Sequence, residues 1–186
     1  MLWPFNRLTT SPASRGTIGA IYGAIVAQAR TPAFYTDLAV PDTLAGRLDM
    51  VILHLWLMLR RLRATGDSDQ LGQALIDHFC SDMDDNLREL GTSDLKVPKK
   101  LLEFNEAFYG RARAYDEALA AGGDEPLVAA LERNVYNGQR VAAAPGLARY
   151  VMRAIVTLEG ADTATLGRGD LRFPPPLESP VKGDAA

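Results

Sequence analysis

The sequence predicts an all-α fold: a single compact domain of about six helices around a central buried helix, with an extended C-terminal tail. Two observations carry this expectation. Residues 40–62 read VPDTLAGRLDMVILHLWLMLRRL, in which Leu44, Leu48, Val51, Ile52, Leu55, Leu59 and Leu62 recur at helical spacing. Met50, Leu53 and Leu57 lie roughly opposite them, so this helix is apolar most of the way round, as a helix buried on several sides must be. Five further segments repeat the helical spacing between glycine and proline breakers.

Residues 1–16 form an N-terminal segment. Leu2, Trp3 and Phe5, beside Arg7 and Arg15, can dip into a bilayer interface. The plainer alternative packs Trp3 and Phe5 back on the domain, and the shortness of the segment favours it. The basic-then-apolar pattern of a signal peptide is missing. A first helix is expected over 17–30, with Ile18, Ile21, Tyr22 and Ile25 on one face. Thr31-Pro32 stops it, because the residue before proline is pushed out of the α region. Phe34-Tyr35 follow in a short connector. Asp42 or Thr43 can cap the central helix. That helix keeps a narrow polar strip, Arg47, His54 and Arg61. It breaks at Gly66 behind Arg60, Arg61 and Arg63, whose charge complements the helix dipole; an anionic partner is the alternative.

The third helix is expected over 68–90, with Gly91 at its C′ position. Leu71, Leu75, Phe79, Met83, Leu87 and Leu90 make its apolar face, and Asp77, Asp84 and Arg88 a solvated one. His78, Asp82, Asp85 and Glu89 form a strip on its flank. Like charges at this spacing repel, and acids near a helix C-terminus oppose the dipole, each at a cost on the order of a few tenths of a kcal/mol. Three readings of the strip stand. A short turn makes the second and third helices antiparallel, which sets His54 level with His78 and Asp82, and Arg47 level with Asp85 and Glu89; internal pairing then explains the acids. His54, His78 and Asp82 can instead form a metal or haem site, although the paired Glu-x-x-His motifs of di-iron bundles are missing. The third reading is a docking surface for a basic partner.

The fourth helix starts at Pro98 and runs to about Ala121 through Leu101, Phe104, Phe108, Ala112, Tyr115 and Leu119. Gly110 inside it costs ~1 kcal/mol relative to alanine and points to close approach by a neighbouring helix or ligand. Gly122-Gly123 break the chain. The fifth helix starts at Asp124, buries Leu127, Leu131 and Val135, and ends at Asn137-Gly138. The sixth starts near Pro145 and carries Leu147, Tyr150, Val151, Ala154, Ile155 and Leu158. The helical domain is thus 17–160. Residues 161–186, poor in apolar side chains and containing Pro174-Pro175-Pro176, read as an extended, mobile tail.

Composition narrows the function classes. At 186 residues the chain can bury one sizeable core. A net charge of −3 and a pI near 5.4 argue against general nucleic-acid binding. The lone Cys80 excludes an internal disulfide and fits a reducing compartment. The longest apolar run, 51–59, is interrupted by His54 and falls short of the ~20 residues a membrane span needs. P-loop, dinucleotide fingerprint, Cys-x-x-Cys and nucleophile-elbow patterns are absent from the sequence. Cys80 and His78 sit two apart on a helix and do not face each other.

Several segments carry a resemblance together that none carries alone. They are residues 26–35 (VAQARTPAFY), 40–43 (VPDT), 46–50 (GRLDM) with His54 close behind, 82–89 (DMDDNLRE), 94–99 (DLKVPK) and 108–111 (FYGR) with Tyr115. In this order and spacing they resemble the ubiquinol–cytochrome c chaperones, assembly factors of the cytochrome bc1 complex. The resemblance runs from Gly23 to Leu119. Ile76 stands near where the family tends to have phenylalanine, and Gly91-Thr92-Ser93-Asp94 replaces its Gly-Val-Gly-Asp connector.

The resemblance implies an all-helical chaperone with neither enzymatic activity nor a cofactor. Its client would be newly made cytochrome b, and it would act peripherally on the cytoplasmic side of the inner membrane, or the matrix side in mitochondria. A small helper protein or the ribosome is a further partner of mitochondrial members. The implied partner-binding candidates are Phe34, Tyr35, Asp42, Arg47, Asp49, Asp82, Asp85, Glu89, Tyr109 and Arg111. A client segment with basic flanks would suit an apolar groove beside the central helix, rimmed by the acidic strip. The rival readings are a metal or haem protein using His54, His78 and Asp82, and a membrane-surface tether using Leu2, Trp3 and Phe5.

Overall fold

The computed structural model describes residues 12–64, 68–162, 165–166 and 168–177. Its elements are α1 (Pro12–Ala29), α2 (Ala33–Thr36), α3 (Leu44–Ala64), α4 (Ser68–Glu89), α5 (Val97–Ala121), α6 (Asp124–Asn134) and α7 (Ala144–Glu159). Among the described residues there is no strand. The six longer helices are those the sequence predicts, and α2 is a single turn inside the connector that carries Phe34 and Tyr35.

Thr43 starts the central helix α3: its Oγ1 accepts the amide of Gly46 at 3.1 Å, so Thr43 rather than Asp42 supplies the cap. Gly46 has a second reason. A Cβ there would stand 2.1 Å from the Pro41 carbonyl oxygen, so only glycine lets the entering chain fold this tightly onto the first turn. From Ile52 to Leu59 every residue of α3 is buried, and the helix packs against α1, α4, α5 and α7. Its all-round apolar surface therefore has a neighbour on every side. Each leucine or isoleucine buried here contributes about 1.5–3 kcal/mol. Leu44, the first residue of α3, and Leu90, just past the end of α4, both expected on apolar faces, are 75% and 70% exposed.

α4 stops in a Schellman arrangement. Gly91 takes φ 79°, its amide donates to Arg88 O and that of Thr92 to Leu87 O, both at 2.9 Å. The arginines behind α3 hold helix ends. Arg61 donates to Leu158 O at 2.7 Å and to Ala161 O at 2.6 Å, closing the C-terminus of α7. Arg60 and Arg63 face Asp116 of α5 at 3.8 and 3.5 Å. On α7, Leu147, Tyr150, Val151, Ala154, Ile155 and Leu158 are all buried, as their spacing requires.

Three expectations are corrected. α1 begins at Pro12, not near residue 17. Gly110 meets no close neighbour: a Cβ there would touch nothing within 4 Å. The segment after Gly160 is extended, but up to residue 177 it packs on the domain. Leu166 and Leu171 are buried, Phe173 packs on the core, and Arg153 donates to Pro176 O at 2.9 Å. Leu2, Trp3 and Phe5 lie outside the described residues.

Candidate functional site

A groove opens between α3, α4 and α5, with a volume of about 210 Å³. Trp56, Leu59, Leu62, Ile76, Phe108 and Ala112 line it, and Arg63, Gln73 and the 58% exposed Tyr109 stand at its polar edges. Each helix contributes for a local reason. α3 supplies Trp56, Leu59 and Leu62 from its C-terminal half. α4 offers Gly72, too small to close the gap over Leu59. α5 turns Phe108 inward and Tyr109 outward on successive positions. A larger cleft of about 380 Å³ lies at the ends of α3 and α7, but its Arg61 is occupied by helix carbonyls, and its Arg60 and Arg63 by Asp116.

The groove is not rimmed by the acidic strip. At about 3.6 residues per turn, His78, Asp82, Asp85 and Glu89 lie nearly opposite Ile76 around α4. They face α1 and solvent instead. Tyr22 OH donates to Asp82 Oδ2 at 2.8 Å, and the Tyr22 ring meets His78 edge-on at 4.9 Å. Burial and the Asp82 carboxylate push the Tyr22 phenol far above its usual range. Asp85 and Glu89 are exposed. The expected pairing of Arg47 with Asp85 and Glu89 is replaced by a local one. Arg47 Nε donates to Asp42 Oδ1 at 2.6 Å, and its guanidinium lies over the Tyr35 ring at 5.8 Å. Five residues of chain bring Asp42 to Arg47 at little entropic cost, which a cross-helix contact cannot match.

His54 goes elsewhere again. It is wholly buried, with Nδ1 2.7 Å from Met50 O and Nε2 2.6 Å from Tyr150 OH. A carbonyl only accepts, so Nδ1 carries the proton and Nε2 accepts from Tyr150. Burial pushes the imidazole down to about 4, leaving it neutral at pH 7. Phe34, Tyr150 and Phe173 enclose the ring, with centroids at 5.5, 5.6 and 5.0 Å. The structure therefore separates His54 from His78 and Asp82, so the alternative metal site built from those three does not form. Among the described residues, no cluster of His, Cys, Asp and Glu could hold a metal ion.

Two of the expected partner-binding residues point inward, and a third, Tyr35, is half-buried. Phe34 is fully buried, so it touches no partner while the fold is closed. Asp49, 5% exposed, accepts from Arg111 Nη2 at 2.8 Å and ties α3 to α5. Burial raises the Asp49 carboxyl pKa and Arg111 works against that rise. Tyr35 spends its hydroxyl on Ala29 O at 2.6 Å and forms one cluster with Arg47 and Asp42. Tyr109 alone of the ten stands at the groove. Sequence reasoning missed Gln73 and Ile76 there. It also missed Gln28, which donates to Tyr150 OH at 3.1 Å and Pro174 O at 2.9 Å; its place in the VAQAR segment was the available signal.

Residues 36–173, from the end of α2 through α7 to Phe173, match the family described as ubiquinol-cytochrome C chaperone. The chain belongs to this family. It is 28% identical to the mitochondrial protein CBP3 of Saccharomyces cerevisiae over 152 residues, 77% of this chain and 44% of that one. It is 27% identical to ubiquinol-cytochrome c reductase complex assembly factor 1 of Homo sapiens, over 63% of this chain and 39% of that one. The chain thus spans less than half the length of these two relatives. The crystal structure of the Cbp3 homolog from Brucella abortus superimposes with a TM-score of 0.77 at 36% identity, covering 88% of this chain and 92% of that one. The chaperone family's segment takes in both the groove and the Asp49–Arg111 pair. Among the described residues no helix is long and apolar enough to cross a membrane.

Proposed function

We propose that this chain is a non-enzymatic chaperone that binds newly made cytochrome b and supports assembly of the cytochrome bc1 complex, working at the surface of the membrane that holds the complex. The family match across the folded domain carries this reading. The human relative, whose name describes assembly of the ubiquinol–cytochrome c reductase complex, supports it. Both nitrogens of His54 are engaged, and burial raises the Cys80 thiol away from the nucleophilic thiolate.

The client contact is the groove between α3, α4 and α5. Its apolar lining and its exposed edge at Gln73 and Tyr109 suit a hydrophobic side chain of the client inserted beside the central helix. Asp82, Asp85 and Glu89, together with the Tyr35–Asp42–Arg47 cluster, lie on other faces and are assigned to helper or ribosome contacts.

Gln73→Trp fills the groove from an exposed position, and Tyr109→Ala removes its aromatic edge. Both variants should keep native circular dichroism and melting behaviour while co-purifying at least tenfold less cytochrome b and failing to restore bc1 absorbance in a deletion strain. Folded variants that recover cytochrome b normally would remove the groove from the account.

A further inference from the structure

Residues 168–177 contain neither helix nor strand, yet they are strapped across α1, α3 and α7. Gly169 sits against Ala20 and Thr17 of α1, where a Cβ would come within 2.6 Å of the Ala20 side chain. Phe173 meets His54 edge-on, at 87° to the imidazole plane and 5.0 Å between centroids, and packs on the core; Phe34 and Tyr150 hold the same imidazole. The next three carbonyls all accept from side chains: Pro174 O from Gln28 Nε2 at 2.9 Å, and Pro175 O and Pro176 O from Arg153 Nη2 at 3.3 and 2.9 Å.

This is the chemistry of a bound peptide. A polyproline segment has no N–H groups to satisfy and arrives extended, so little chain entropy is lost on docking. Donors aimed at main-chain carbonyls hold it in register, and one aromatic pocket reads its sequence. Gln28 also donates to Tyr150 OH, which in turn donates to His54, so the carbonyl donor is fixed by a network anchored in α3. The groove is built by the helices, while the strap contributes only the occupant.

We infer that the α1–α3–α7 groove is a peptide-binding site that residues 171–177 fill in cis, and that an extended partner segment carrying an aromatic residue followed by proline takes it when the strap lifts. This site is separate from the groove between α3, α4 and α5 and stands whether or not cytochrome b is the client. Its covalent attachment gives the strap a high effective concentration, so a competing segment binds weakly until the strap is loosened.

The test uses the full chain and a fluorescent peptide of residues 171–177, LRFPPPL. Phe173→Ser weakens the strap but leaves Gln28, Arg153, His54, Phe34 and Tyr150 in place. The variant should bind the peptide about tenfold more tightly than the native chain, and a peptide with serine for phenylalanine should not bind. A folded Phe173→Ser protein that binds no peptide overturns the inference, and so does a concentration-dependent dimer formed in place of peptide binding, which would assign the groove to a second copy. Should the variant unfold, hydrogen exchange of the native chain decides. Amides of residues 170–173 that exchange by local opening, faster than those of α3 and α7, support a displaceable strap; exchange only through global unfolding overturns it.

Discussion

Arg111→Ala gives the sharpest test of how this fold is held together. The guanidinium lies 2.8 Å from Asp49 Oδ1, and the two side chains are 24% and 7% exposed. Breaking a buried pair by removing one partner costs about 3–5 kcal/mol, because the remaining charge is stranded. Water reaches Arg111 at its edge, so the lower end applies, about 3 kcal/mol, a large share of the roughly 5–15 kcal/mol that stabilises a domain. The loss should depend on pH with a defined sign. Burial already lifts the Asp49 carboxyl pKa in the folded state, so the folded protein holds that proton to higher pH than the unfolded one. Stability from this group therefore falls as pH rises from the unfolded to the folded pKa. Without Arg111 the folded pKa climbs further and the window widens. Urea titrations should show a deficit that shrinks as pH falls through the raised Asp49 pKa and the carboxyl takes up its proton. Asp49→Leu combined with Arg111→Met should recover most of the loss, since an apolar pair strands no charge. A deficit under about 1 kcal/mol that ignores pH would refute a buried ion pair at the α3–α5 contact.

Three further outcomes follow from named contacts. Gly46→Ala should lower stability by about 2 kcal/mol or more, read as a drop in Tm, because its Cβ would overlap the Pro41 carbonyl; an unchanged Tm would mean the connector moves freely. Gly110→Ala should raise stability by about 1 kcal/mol in denaturant, since it gains helix propensity and meets no neighbour; a lower midpoint would contradict this. His54, at about 4 folded against 6.5 unfolded, contributes stability that is complete above pH 6.5 and is lost as pH falls towards 4. That loss is about 3 kcal/mol, and a His54→Gln protein, less stable at pH 7, should lack this part of the acid sensitivity.

The helices and their order were legible because each element announces itself locally. α7 shows an apolar face of six buried positions, and α4 ends at a glycine that the Schellman geometry requires. The strap was not legible: three apolar residues, Leu166, Leu171 and Phe173, anchor it, too few and too irregular to make a period. Long-range polar partners were equally hidden. Nothing in residues 46–50 says that Asp49 meets Arg111, and Arg47 took the nearby Asp42 in preference to the acids of α4. The acidic strip itself was read correctly as a strip, but its side of α4 depends on where α1 packs, and Tyr22 decides that. The apolar groove beside the central helix was anticipated; its rim of Arg63, Gln73 and Tyr109 was not, because a rim is set by three helices at once.

The central claim is that the α3–α4–α5 groove receives nascent cytochrome b. A photoreactive amino acid placed at Gln73, and separately at Asp85 on the opposite flank of α4, would test it in native membranes. The account predicts a crosslink to cytochrome b from position 73 and not from position 85. Crosslinks to cytochrome b from 85 alone, or from neither position in a strain whose bc1 complex assembles normally without this chain, would contradict it.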